Sequence, residues 1–169
     1  NSILSLWGIL SQEQASGFVK RLLPTKAPIK VFATYNHSEK SFGIAFSCGE
    51  AIKISVDSFR NLKELCVQLF LDASYKPNKL LTIQLSSASN KDIFAYLCDN
   101  LIESIGNCDT ESKAVKVVIN RLEKWKNMFA KSASEGLSIT EQQGLYGELI
   151  YLNKLISKGI YSLVDSLKL

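Results

Sequence analysis

Apolar and polar side chains alternate along the first half of the chain. Ile29, Val31, Ala33 and Tyr35 are spaced by Lys30, Phe32 and Thr34, and after a polar stretch from Asn36 to Ser41 the alternation resumes at Phe42, Ile44 and Phe46. A period of two on either side of a turn predicts a β-hairpin. Ile52, Ile54 and Val56 alternate with Lys53, Ser55 and Asp57, which predicts a third strand with one wet face. Leu65, Val67, Leu69 and Leu71 fit a strand, while Leu62, Leu65, Cys66 and Leu69 also fit a helix. The strand is preferred because Tyr75-Lys76-Pro77-Asn78 is a turn signal after which Leu81, Ile83 and Leu85 return in alternation. The segment from Trp7 to Leu23 reads as a helix or an irregular lead-in.

The period then changes to one near 3.6. Ser89 and Asp92 have capping-box spacing, and Phe94, Leu97, Cys98, Leu101 and Ile105 form one helical stripe that ends near Gly106. A second helix is expected from about Thr110, with Val115, Val118, Leu122, Trp125 and Phe129 on its apolar side and Lys113, Lys124 and Lys131 opposite. A third opens at the capping box Ser138-Ile139-Thr140-Glu141 and runs to about Lys158, before Gly159. The order of elements predicts an α+β fold: an N-terminal antiparallel sheet followed by three long helices.

Composition narrows the chemistry. With 46% apolar and 21% charged residues the chain is expected to fold, and no apolar run approaches the length of a membrane span. Cys48, Cys66, Cys98 and Cys108 are widely spaced, and His37 is the single histidine, so a zinc site is not expected. His37 sits in a turn-like Asn-His-Ser context, and no G-x-S-x-G or glycine-rich phosphate loop is present. Free cysteines within apolar patterns, and a start at Asn1 with neither a signal-peptide pattern nor an initiator methionine, read as a piece of a cytoplasmic protein. The net charge of +4 equals that of residues 110–131 alone. There Lys113, Lys116, Arg121, Lys124, Lys126 and Lys131 face Glu111 and Glu123, six minus two. Lys113, Lys116, Arg121 and Lys124 are therefore the candidate contacts to DNA phosphates, with a merely solvated helix face as the simpler alternative.

The third expected helix carries one more candidate. At 100° per residue Leu145, Leu149, Leu152, Leu155 and Ile156 share an arc of about 120°, and Glu148 falls inside it. A carboxylate aimed at a core needs a cation or hydrogen-bond donors. It either pairs with an arginine such as Arg121 or assists a metal-dependent site. Gly144 and Gly147 weaken the same helix and suggest a close backbone approach. Asp109-Thr110-Glu111-Ser112-Lys113 has Glu-x-Lys spacing but sits at a helix start, so it reads as a cap.

The run Leu137-Ser138, then Glu141-Gln142-Gln143-Gly144-Leu145-Tyr146-Gly147-Glu148-Leu149 and Leu152, preceded by Arg121-Leu122 and Trp125, resembles the signature of the bacterial PD-(D/E)XK motif proteins. Asp92-Ile93-Phe94 and Cys98-Asp99-Asn100-Leu101-Ile102 fit the same pattern, so the resemblance spans about residues 80–158. It implies a restriction-endonuclease-like protein of restriction or phage-defence systems that cleaves DNA with magnesium, together with partner subunits of such a system. On that resemblance, residues 1–106 are an N-terminal α+β domain, and residues 107–169 a helical connector and the start of the nuclease-like domain. Glu148 is then an accessory carboxylate. The family's catalytic Asp and Glu-x-Lys would follow on later strands, so this chain is expected to be inactive by itself and to hold no metal ligand set of its own. The alternative is a non-enzymatic module that docks a partner subunit or the DNA backbone.

Overall fold

The computed structural model describes residues 2–72, 74, 78–86 and 88–134, and Gly147. Helix α1 (Ile3–Gln12) comes first, and five strands follow: β1 (Phe18–Leu23), β2 (Lys30–Asn36), β3 (Ser41–Gly49), β4 (Leu65–Leu71) and β5 (Asn78–Leu85). Helices α2 (Lys91–Gly106) and α3 (Glu111–Ser134) follow, and short 3-10 turns lie at Asp57–Phe59 and Ala88–Asn90. The chain divides into two compact units, residues 1–124 and 125–169. The sheet, α1, α2 and the first part of α3 belong to the first.

All neighbouring strands are antiparallel, in the order β1-β2-β3-β5-β4. The chain makes a three-strand meander, crosses to the far edge for β4 and returns through β5 between β4 and β3. Register decides which side chains share a face. Val31 lies opposite Phe46, Ala33 opposite Ile44, Ile44 opposite Ile83 and Ile83 opposite Val67. These residues form one apolar face, the one the sequence alternation marks. Trp7 of α1 closes over it: its indole is fully buried, stacks on Phe94 of α2 with ring centres 5.4 Å apart, lies 5.6 Å from Phe42 and donates to the Gly43 carbonyl at 2.8 Å. One side chain thus joins both helices to the sheet.

The α+β class and the strands at β2, β3, β4 and β5 match the reading from sequence, as does the turn position of His37. There Asn36 Oδ1 accepts from the Ser38 amide at 3.1 Å and Lys40 has a positive φ of 52°. Three expectations are corrected. The lead-in splits into α1 and the edge strand β1, whose sequence does not alternate because an edge strand only partly covered on both faces need not. Ile52, Ile54 and Val56 are each half-buried between exposed neighbours, as expected, but form no ladder, because β2 and β5 already occupy both sides of β3. Helix α2 starts at Lys91 with Asn90 at the cap position and no side-chain cap bond, so the Ser89 capping box is not used.

In α2 the expected stripe of Phe94, Leu97, Cys98, Leu101 and Ile105 is buried throughout, and in α3 Val115, Val118, Leu122 and Trp125 are buried. The third expected helix, with Glu148, lies outside the described residues except for Gly147. Gly147 is exposed, and a Cβ placed on it meets nothing within 4 Å, so the close backbone approach expected there is not found.

Candidate nucleic-acid interface

Helix α3 begins where Thr110 Oγ1 accepts from the Lys113 amide at 3.3 Å. Glu111 is in the first turn, and its carboxylate accepts from the Gly49 amide at 3.2 Å, tying the helix start to the end of β3. Lys113 Nζ reaches back one turn to Asp109 at 2.8 Å, and this contact holds the exposed Asp109 carboxyl below its ordinary value. The Asp-x-Glu-x-Lys stretch is therefore a helix start in which each charge has a local structural job. The Ser58 hydroxyl donates to Glu123, a second tie between α3 and the loop after β3.

With the apolar stripe turned inward, the outward face is fixed by the 100° step. Lys116 falls 60° to one side of Lys113 and Lys124 about 20° to the other, with Asn120 between them, and all four residues are exposed. The three lysines span about 16 Å along the helix axis, roughly the rise of five base pairs. Among the described residues neither Lys116 nor Lys124 has an ion-pair partner. Arg121 does not join this group: it lies about 80° round from Lys113 and is half-buried.

The sequence reading missed the most strongly built polar site, which lies on the sheet face opposite α1. Asp72, directly after β4, is almost fully buried and receives Lys20 Nζ at 2.8 Å, Ser47 Oγ at 3.0 Å and the Ser74 amide at 3.0 Å. Asn78 Nδ2 donates to Ser47 Oγ at 3.2 Å, and Lys20 Nζ lies 4.6 Å from the centre of the Phe32 ring. Burial pushes the Asp72 carboxyl up, but the bonds from Lys20, Ser74 and Ser47 outweigh it and hold it below its ordinary value. Lys20 belongs to one edge strand and Asp72 follows the other, so this ion pair spans the face of the sheet opposite α1. The signal in sequence was a charged residue ending an otherwise uncharged apolar strand, but its partner lay in a strand that had not been recognised.

This network holds a lysine and a carboxylate without a second acid. Among the described residues no group of three or more His, Cys, Asp or Glu side chains could hold a metal ion, so the described residues do not fit the magnesium site that the sequence resemblance implies. Cys48, Cys66 and Cys98 are not poised as nucleophiles. Burial, reinforced by Glu111, pushes Cys48 up to about 11; burial raises Cys98 well above the usual thiol range and raises Cys66, with Glu39 adding to the latter. No described helix is long and apolar enough to cross a membrane.

No curated protein and no solved structure matches the chain. A family model described as "Putative PD-(D/E)XK family member, (DUF4420)" matches residues 3–164, and with nearly the whole length matched, the chain belongs to this nuclease-like family.

Proposed function

We propose that the chain is the N-terminal part of a DNA-cleaving PD-(D/E)XK protein that works in the bacterial cytoplasm within a restriction or phage-defence system, beside partner subunits of that system. In this reading α3 lies along a DNA backbone with Lys113, Lys116 and Lys124 opposite phosphates. The observation that carries the contact is the grouping of these three exposed lysines on the outward side of one buried helix. Arg121 stands to the side and contributes less. Such contacts neutralise phosphates and position a duplex without reading its sequence. The five-stranded sheet is a platform, because its buried charges are committed to each other. Magnesium and the catalytic carboxylates lie outside the described residues in this reading, with Glu148 as an accessory acid.

Binding of a fluorescent duplex, followed by anisotropy over a salt series, tests this reading. Affinity should fall linearly in a log–log plot, and each of Lys113→Glu, Lys116→Glu and Lys124→Glu should reduce the slope by about 1. Binding that is absent at low salt, or indifferent to all three substitutions, removes the DNA contact. The remaining reading is then a scaffold that docks a protein subunit, which the same buried ion pair and committed charges also favour.

A further inference from the structure

The two edges of the sheet are built differently. β1 carries Lys20, committed to Asp72, and Arg21, paired with Glu13 at 2.5 Å, and Pro24 follows it. β4 reads Leu-Cys-Val-Gln-Leu-Phe-Leu, with no charge, proline or glycine from Leu65 to Leu71. Natural edges are normally blunted by such residues, and an uncharged apolar edge is a template for another strand.

Hydrogen bonding shows which backbone groups this edge offers. Just outside β4 the Ser86 amide donates to the Glu64 carbonyl at 2.9 Å and the Asp72 amide to the Asn78 carbonyl at 2.8 Å. Alternate residues of an antiparallel strand face the same neighbour, so the even-numbered residues from 64 to 72 serve β5. Leu65, Val67, Leu69 and Leu71 turn their N–H and C=O groups outward. The side chains follow suit: Gln68 is exposed at the centre, Phe70 is 48% exposed and Leu71 72%.

We propose that β4 pairs antiparallel with β4 of a second copy of this chain, about a two-fold axis at Gln68, to form one continuous sheet. The register makes a second copy the fitting occupant. It sets Leu65 opposite Leu71 of the second copy and Val67 opposite Leu69, and every outward amide of β4 meets an outward carbonyl. Cys66 falls opposite Phe70, so the apolar side chains keep to matching faces. The only charges brought across from one another are Glu64 and Asp72, and Asp72 is already neutralised by Lys20. The backbone pairing alone would accept any strand; what favours a second copy is that this self-register sets uncharged side chains of Leu65–Leu71 opposite uncharged ones on both faces. One strand pair buries less than a standard interface, so the dimer is weak and concentration-dependent. This surface does not depend on the nuclease reading.

Sedimentation of the whole chain from about 1 μM to about 1 mM should show the mass rising from one chain to two. Leu71→Lys charges the edge, and Leu69→Pro removes an outward N–H without touching the β5 ladder; each should weaken the dimer at least about tenfold. Leu22→Lys, on the opposite edge, should leave it unchanged. Gln68→Cys should give a covalent dimer on mild oxidation, linked through residue 68, because opposed residues of a non-hydrogen-bonded pair come close enough for a disulfide. A single-chain mass at every concentration overturns the proposal. So does a dimer unmoved by both Leu71→Lys and Leu69→Pro, or oxidative linkage only through the native cysteines.

Discussion

The two faces of the sheet solve the problem of burial by opposite means. Under α1 the face is Val31, Ala33, Ile44, Phe46, Leu81 and Ile83, closed by Trp7 and Phe94. On the other face lies a smaller apolar cluster of Phe32, Ala45 and Leu80, and every buried polar side chain described, Thr34, Ser41, Ser47, Asp72, Thr82 and Gln84, projects from this side. The first face gains free energy from removing apolar area from water. The second has to satisfy what it buries and does so unevenly. Asp72 and Ser47 are fully engaged, while Thr34 Oγ1, Ser41 Oγ and the Gln84 amide nitrogen have no hydrogen-bond partner among the described residues. Burial alone therefore does not identify a stabilising residue; on the second face the sign depends on whether a partner is present.

The largest effect should come from the apolar face. Trp7→Ala removes a fully buried indole, its two ring contacts and the bond to Gly43, and should cost about 4 kcal/mol in urea unfolding. Comparable stability in the variant would mean that α1 does not close this face. On the other face, Asp72→Ala leaves Lys20 and Ser47 without their shared acceptor and should cost about 3 kcal/mol. Joint replacement, Lys20→Met with Asp72→Leu, should recover much of that loss, since an apolar pair needs no solvation. Acid should act on the same carboxylate. Its folded value is depressed, so its contribution is complete above the ordinary carboxylate value of about 4 and drains away as pH falls through the lower folded value. The difference in unfolding free energy between the native chain and Asp72→Asn, measured from pH 6 down to pH 2, should accordingly shrink toward the acid end.

The contrast between the faces also explains what could be read from sequence. Apolar alternation is a statement about one face, and it located β2, β3, β4 and β5 because each contributes to the face under α1. It could not locate β1, where Lys20 and Arg21 interrupt the pattern, and it over-read Ile52 to Val56, where alternate burial occurs without a strand partner. Among candidate site residues, Lys113, Lys116 and Lys124 were legible because a helix sets its outward face by period alone, and Arg121 was over-included because charge was counted without angle. The Lys20–Asp72 pair was illegible, since a contact 52 residues apart depends on the order and register of the strands in the whole sheet.

Gly43 sits between the two faces and should report on both. A Cβ there would meet Thr34 Oγ1 at 2.5 Å, the Ile83 carbonyl at 2.8 Å and Gln84 Cγ at 3.0 Å. The threonine and glutamine side chains can turn aside, but the backbone oxygen cannot move without disturbing the β3–β5 ladder. Gly43→Ala should therefore cost about 2 kcal/mol by overpacking, despite removing a flexible residue from a strand. A gain in stability would show that the strands can separate at this point.

The smallest effect should carry the opposite sign. Thr34 is fully buried, and its hydroxyl has no partner among the described residues, so the native chain bears the desolvation of a polar group without return. Thr34→Val keeps the branched shape beside Gly43 and replaces the hydroxyl with a methyl. It should stabilise the chain by up to about 1 kcal/mol, where the same change at a hydrogen-bonded threonine would destabilise it. Thr82 supplies that comparison on the same face, because its hydroxyl donates to the Gln68 carbonyl at 3.3 Å. Thr82→Val should lose about 1 kcal/mol. Opposite signs at these two positions of one face, measured in parallel by thermal unfolding, would tie stability on this face to hydrogen-bond satisfaction; equal losses at both would assign Thr34 a partner, such as a buried water, and remove the contrast between the faces at that point.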